Sequence, residues 1–258
     1  MGSGKRQRES SDMGIGIEEL DYRQTRLGEL ILRRRKAPSM GGAEVFEITL
    51  DGSFLMSSMV NVSEIALSEL GLAELAHPGT EAEPLDVVVG GLGLGYSASA
   101  ALAHPGVGSV LVIEYLDEVI DWHRRGLVPL GEPLTKDPRC RMVSGSFFAM
   151  FNDGDHGFDP ETPGRLFNAI LLDIDHTPKS HLHPSHATLY TPEGLRRLAT
   201  HLKPGGVFAL WSAGPPEDDF LNLLGEAYET ARAHAIDFYN PHLDLDDINT
   251  IYIARKAD

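Results

Sequence analysis

Three glycines at alternate positions, Gly91, Gly93 and Gly95, stand in the run VVVGGLGLGY at residues 87–96. The apolar run before them suits a strand buried on both faces, and the small residues after them, SASAALAH, suit a helix. Glycine at a strand-to-helix turn lets the backbone bend tightly and approach a ligand with no Cβ in the way. The next apolar run, SVLVIE at 109–114, ends in Glu114. A carboxylate at that place accepts hydrogen bonds from both hydroxyls of a ribose. Gly91, Gly93, Gly95 and Glu114 together therefore predict a nucleoside site. The plainer reading of Glu114 is a surface carboxylate at a strand end.

A second group of residues suits proton transfer. Asp173 ends the apolar run ILLD, and Asp175 follows two positions later. Open α/β sheets bind ligands at the carboxyl ends of their strands. A carboxylate there can take the proton that keeps an amine from attacking an electrophilic carbon. The alternative for Asp173 is a loop cap. The loop beyond it, DIDHTPKSHLHPSHATLY, holds His176, His181, His183 and His186. Neutral imidazoles suit zinc, iron or nickel. Their spacing here fits no standard metal motif, however, and Pro178 and Pro184 make the segment irregular. A substrate-lining or structural loop is expected and no metal, with His176 a candidate second base. Tyr190 and Trp211 are candidates to line the acceptor side, or else core residues.

The elements that must position these residues follow from pattern. Residues 1–19 are polar and expected to be disordered. Residues 20–60 read as a small antiparallel β-hairpin subdomain, with Asp51-Gly52 as a hairpin turn. From 61 to 258 a helix over 61–76 leads into strands LDVVVG, SVLVIE, RCRMVSG, RLFNAILLD and VFALWS. Helices are expected over 116–125, over TPEGLRRLATHL up to Lys203-Pro204-Gly205-Gly206, and over 217–233, before two strand-like pieces at the end. Strands alternating with helices imply βαβ units and a mostly parallel sheet. The fold class is α/β, a Rossmann-like sheet with a small N-terminal antiparallel subdomain.

Composition narrows the partners. The formal charge is −16, from 38 acidic and 22 basic side chains. Such a surface repels phosphate backbones and anionic lipid and favours a cationic small molecule, although solubility alone would also explain it. One cysteine, Cys140, precludes a disulfide within the chain and argues against a cysteine-based zinc site. No run approaches the ~18 apolar residues of a membrane span, and the first residues carry no secretory signal region. A cytoplasmic location is expected, with no nucleic-acid or membrane partner.

The order of motifs resembles the spermidine synthase-like family. YRQTRLGELIL and ITLDGSFLMSS are similar to that family's N-terminal hairpins, and GGLGLG, VIE, DIDHTP, LYTPEGL and LKPGG follow in family order over about residues 20–256. The resemblance implies a class I methyltransferase-type fold and a donor that is S-adenosylmethionine or its decarboxylated form. It also implies a small amine acceptor and a role for Asp173 in deprotonating it, and is compatible with a homodimer. Ser146 stands where methyltransferases often place an adenine-binding Asp, so it is a candidate adenine contact.

The chain also departs from the pattern. Gly93 stands where the family turn has an acid, which the resemblance implies pairs with the donor's amine and repels the carboxylate of ordinary S-adenosylmethionine. Leu55, Val60 and Asn61 stand where the family has a Gln and an Asp-Glu pair; Glu64 is a candidate replacement with no secure alignment. On these departures methyl transfer from S-adenosylmethionine to an amine is placed first and aminopropyl transfer to a polyamine second. A non-catalytic nucleoside-binding protein comes third and a nicotinamide-dependent oxidoreductase a distant fourth.

Overall fold

The computed structural model describes residues 16–37, 41–75, 83–241 and 243–258. The chain divides into two compact units, with the boundary between Leu55 and Met56. Most of the expected disordered segment lies outside the described residues. Its end does not: strand β1 (Ile17–Thr25) begins ahead of Leu20. It pairs with β2 (Gly28–Ala37) from Ile17 opposite Arg35 onward, and Glu18 forms an ion pair with Arg34 at 2.6 Å.

The first unit is a sheet in the order β1-β2-β3-β4, where β3 is Ala43–Leu50 and β4 is Ser53–Ser57. Asp51 and Gly52 both take positive φ, 50° and 78°, as the tight hairpin turn predicted from Asp-Gly requires. The last residues of β4 lead into the second unit.

That unit opens with α1 (Val62–Ala73), β5 (Leu85–Gly90), α2 (Tyr96–Ala103), β6 (Val107–Glu114), α3 (Asp117–Arg124) and α4 (Gly131–Lys136). It continues with β7 (Cys140–Ser144), α5 (Phe147–Asn152), β8 (Phe167–Leu172), α6 (Pro192–Ala199), β9 (Leu202–Ala213), α7 (Asp218–Ala227), β10 (Thr230–Asn240) and β11 (Leu245–Arg255). The sheet order is β10-β11-β9-β8-β5-β6-β7. The five strands from β9 to β7 are parallel, and β11 and β10 run antiparallel at one edge. The apolar runs behave as strands covered on both faces: Val87–Val89, Val110–Ile113, Ala169–Leu172 and Val207–Leu210 are all buried.

Two expectations change. The helix read over 217–233 ends at Ala227, because Thr230–Asn240 pairs residue for residue with β11. Lys203-Pro204-Gly205-Gly206 lies within β9 and not between a helix and a strand. Phe167 pairs with Leu202 but Ala169 with Val207, so the Pro-Gly-Gly residues form a bulge in the ladder.

β5 lies between β8 and β6, so the order of connection reverses there. Such a switch point opens a crevice beyond the strands' carboxyl ends. Gly91 and Asp173 leave the sheet at that crevice. Among the described residues no helix is long and apolar enough to cross a membrane.

Candidate functional site

All three turn glycines have positive φ: 94° at Gly91, 47° at Gly93 and 95° at Gly95. The atoms that a Cβ would meet are the protein's own. At Gly91 it would lie 2.2 Å from the Asp173 carbonyl oxygen, so glycine lets the turn close onto the end of β8. Backbone bonds from Gly91 N to Ile113 O (2.9 Å) and from Asp173 N to Gly90 O (2.8 Å) tie the three strand ends together. At Gly95 a Cβ would strike Leu134 and the His123 ring, and at Gly93 it would sit 2.5 Å from the Met56 sulfur. The same sulfur accepts a hydrogen bond from Leu94 N at 3.3 Å. A thioether therefore fills the space where an acid at position 93 would project.

Glu114 ends β6 under this turn. One carboxylate oxygen accepts from Leu92 N at 2.9 Å and the other from Leu116 N at 2.8 Å. Burial raises its pKa, opposed by the backbone N–H groups around it. The backbone N–H groups of Tyr115 and Gly93 face it as well, so the carboxylate is fixed to the turn from several sides. His123, fully buried on α3, hydrogen-bonds the Gly93 carbonyl through Nε2 at 2.9 Å, and burial lowers its pKa. Its neutral ring braces the turn from behind.

Asp173 sits just past β8. One of its oxygens accepts from the Ser97 hydroxyl, in the first turn of α2, at 2.8 Å. Its neighbour is Glu64, in the first turn of α1, the candidate replacement that had no secure alignment. Burial pushes Glu64 up to about 7, with the Asp173 charge adding to the effect, and burial pushes Asp173 up to about 6. Ser63 fixes Glu64. Its oxygen accepts from Trp211 Nε1 and from Asn249 Nδ2, both at 2.9 Å, and it donates to Glu64 at 3.0 Å. A hydroxyl has one proton and two acceptor sites. The two N–H donors use both acceptor sites, so the proton of Ser63 goes to Glu64. The sequence signal for this hub was slight, a Ser-Glu pair opening an otherwise apolar helix.

The other expected site residues separate from this pair. Asp175 is almost fully buried and its carboxylate is hydrogen-bonded within the loop. It accepts from Leu182 N (2.8 Å), from His186 Nδ1 (2.8 Å) and from the Tyr190 hydroxyl (2.9 Å). Asp175 and Tyr190, expected as catalytic and substrate residues, form a clasp that gathers residues 176–190. His186 stacks on Phe148 with centroids 3.6 Å apart, and His181 stacks on Tyr190 at 4.7 Å. His176 is exposed, and its carbonyl accepts from Ala213 N at 2.8 Å. Ser146 accepts from Ala149 N at 3.2 Å as the N-cap of α5, a structural use of the expected adenine contact. Trp211 is held by Ser63.

No family model matches the chain. Its fold is that of spermidine synthases. A spermidine synthase crystallised with the transition-state analogue AdoDATO matches with a TM-score of 0.68 at 18% identity, over 93% of this chain and 74% of that one. The spermidine synthase of Thermotoga maritima matches with a TM-score of 0.67 at 18% identity, over 93% and 73%. A probable spermidine synthase from Corynebacterium glutamicum matches with a TM-score of 0.57 at 14% identity, over 95% and 81%.

Proposed function

We propose that this protein is a transferase that moves an alkyl group from an S-adenosyl sulfonium donor to the nitrogen of a small cationic amine. Aminopropyl transfer from the decarboxylated donor comes first. This reverses the order reached from sequence, because solved structures that share this fold include spermidine synthases, one of them holding AdoDATO. The observation that carries the reading is the place of Asp173. It stands at the switch point beside the glycine turn, is hydrogen-bonded by Ser97, and is not ion-paired with lysine or arginine among the described residues.

The backbone from Gly91 to Gly95 and the carboxylate of Glu114 would hold the nucleoside, Glu114 from the end of β6 where a ribose would lie. When bound, the donor supplies a carbon whose bond to sulfur breaks, its electron pair passing to sulfur, as the amine lone pair forms the new C–N bond. Asp173 takes one proton from the incoming ammonium and so frees that lone pair. The product departs as a secondary ammonium, and Asp173 returns its proton to water. Ser97 keeps the carboxylate aimed throughout, and orientation of this kind contributes much of such rate enhancements.

Methyl transfer remains as a second reading on one observation. The Met56 sulfur, and no acid, lies against Gly93, so nothing at that point of the turn repels a donor carboxylate. Calorimetry with S-adenosylmethionine and its decarboxylated form separates the two. A tenfold preference, about 1.4 kcal/mol, assigns the donor. Asp173→Asn tests the chemistry. It should lower turnover by ~10²–10⁴-fold with little change in donor affinity, and recover at high pH where the amine is already neutral. Parental turnover at every pH would remove Asp173 from the reaction.

A further inference from the structure

We propose that Glu64 is the charge-holding partner of Asp173, so that the amine's nitrogen is held between a carboxylate on α1 and a carboxylate at the end of β8. The inference rests on the transferase reading and names a contact outside the glycine turn and the β8 loop.

Three observations carry it. First, Glu64 is oriented by a buried hub built for that purpose. Ser63 is fully buried, its two acceptor sites are taken by Trp211 and Asn249, and its one proton points to Glu64. The elements α1, β9 and β11 each contribute one member. Second, the Glu64–Asp173 pair sits at a switch-point crevice already marked by the glycine turn and Glu114. Among the described residues neither carboxylate forms an ion pair with lysine or arginine. Two carboxylates sharing a half-buried site repel each other, and a cation between them relieves that repulsion as a proton would. Third, the space at Gly93 is filled by the Met56 thioether, so the turn itself offers no side-chain anion there.

The chemistry gives two carboxylates separate tasks. Asp173 takes one proton from the ammonium and becomes neutral. When the C–N bond has formed, the nitrogen carries a positive charge again, and a neutral Asp173 no longer balances it. Glu64, still ionised, does. Glu64 should therefore govern how tightly the cation binds, and Asp173 how fast it reacts. Asp173 is the charged group that raises Glu64, and the Glu64 charge in turn helps to raise the phenol of Tyr96 on α2, which stays neutral.

The test uses 1,4-diaminobutane as probe and 1,4-butanediol, of the same shape without charge, as control. Binding is measured by calorimetry at pH 8 for the parent, Glu64→Gln and Glu64→Asp. Gln keeps the volume and still accepts from Ser63, so the fold should survive, as circular dichroism would show. The parent should bind the diamine at least tenfold more tightly than Glu64→Gln, Glu64→Asp should recover part of that affinity, and the diol should bind to none of them. If the diamine binds Glu64→Gln within twofold of the parent, binds no form at all, or binds no better than the diol, the proposal is overturned. With turnover in hand, Glu64→Gln should raise KM for the amine with kcat within about threefold, the reverse of Asp173→Asn. The donors are titrated separately. A parent that binds the diamine through Glu64 but neither sulfonium donor would sink the transferase reading while leaving the amine contact in place.

Discussion

The two ends of the parallel sheet use the same residue types to opposite effect. At the amino end, Asp86 on β5 accepts from Ser109 at 2.7 Å, Arg165 at 2.6 Å and Lys203 at 3.1 Å. Asp159, buried beside it, is bonded by Arg141, by Arg165 at 3.0 Å and by Glu161 N at 3.0 Å. Burial alone would raise both carboxylates. The hydrogen bonds from Ser109, Lys203 and Arg165 hold Asp86 below the usual range, and those from Arg141 and Arg165 do the same for Asp159. At the carboxyl end Glu64, Asp173 and Glu114 are all pushed up by burial. One end is an internal salt that fastens β5 through β9. The other lacks that balance, and the difference marks where a ligand must complete the charge.

The sharpest test of that contrast is the same substitution at both ends. Asp159→Asn keeps the size but removes the anion between two guanidinium groups. Breaking one partner out of a buried ionic network costs about 3 kcal/mol, a fall in Tm of roughly 9 °C in a domain of this size. Thermal unfolding at pH 7 checks it, and a fall under about 3 °C would show the network to be bridged by water.

Asp173→Asn should act the other way. A carboxylate whose folded pKa is raised adds stability below its unfolded value, and that stability is lost as pH rises through the folded value. With Asp173 at about 6 and Glu64 at about 7, the parent should lose stability as pH rises from 4 to 8. The Asn variant should lose less, because only the burial-raised Glu64 still titrates there. The variant should therefore be more stable than the parent at pH 8 and match it near pH 4. Asp86 and Asp159 set the acid arm: their lowered values stabilise above about pH 4, and that stability is lost as pH falls further. Equal pH profiles for parent and variant would mean that Asp173 and Glu64 are solvated in solution.

The sequence displayed the frame of this site better than its content. LDVVVG, SVLVIE and ILLD were recognisable as strands because burial on both faces leaves apolar runs, and the glycine turn followed from its place between strand and helix. The sheet order is invisible in such runs, since it depends on which apolar faces meet across the core. Asp173 and Asp175 looked alike two residues apart. What separates them is Tyr190 and His186, far along the chain, closing on Asp175 and leaving Asp173 to Ser97 and Glu64. Glu64 is a candidate in the sequence, but its place beside Asp173 is hidden for the same reason. Its partners Trp211 and Asn249 lie on β9 and β11, and nothing in the local pattern of α1 announces a buried hub. Pro204-Gly205-Gly206 read as a break between elements because such residues usually are one; here the bulge absorbs them into β9.

The smallest predicted effect concerns the turn. An acid at position 93 should make the site prefer a decarboxylated donor, because a carboxylate beside the donor tail attracts an amine and repels a second carboxylate. Gly93→Asp alone should fail to show this. A Cβ there would lie 2.5 Å from the Met56 sulfur, so the new side chain and the thioether compete for one space. The φ of 47° is less of an obstacle, since Asp tolerates the left-handed region better than most residues. Gly93→Asp combined with Met56→Ala removes the competitor and gives the carboxylate room. The double variant should shift the ratio of affinities for the two donors about tenfold toward the decarboxylated form, or about 1.4 kcal/mol, while Gly93→Asp by itself weakens both donors alike. Met56→Ala alone serves as the control, because it opens the space without adding charge and should leave the ratio unchanged. If the double variant also leaves the ratio where the parent has it, the donor tail does not pass this turn, and the selectivity of the site must come from the Glu64 side of the crevice instead.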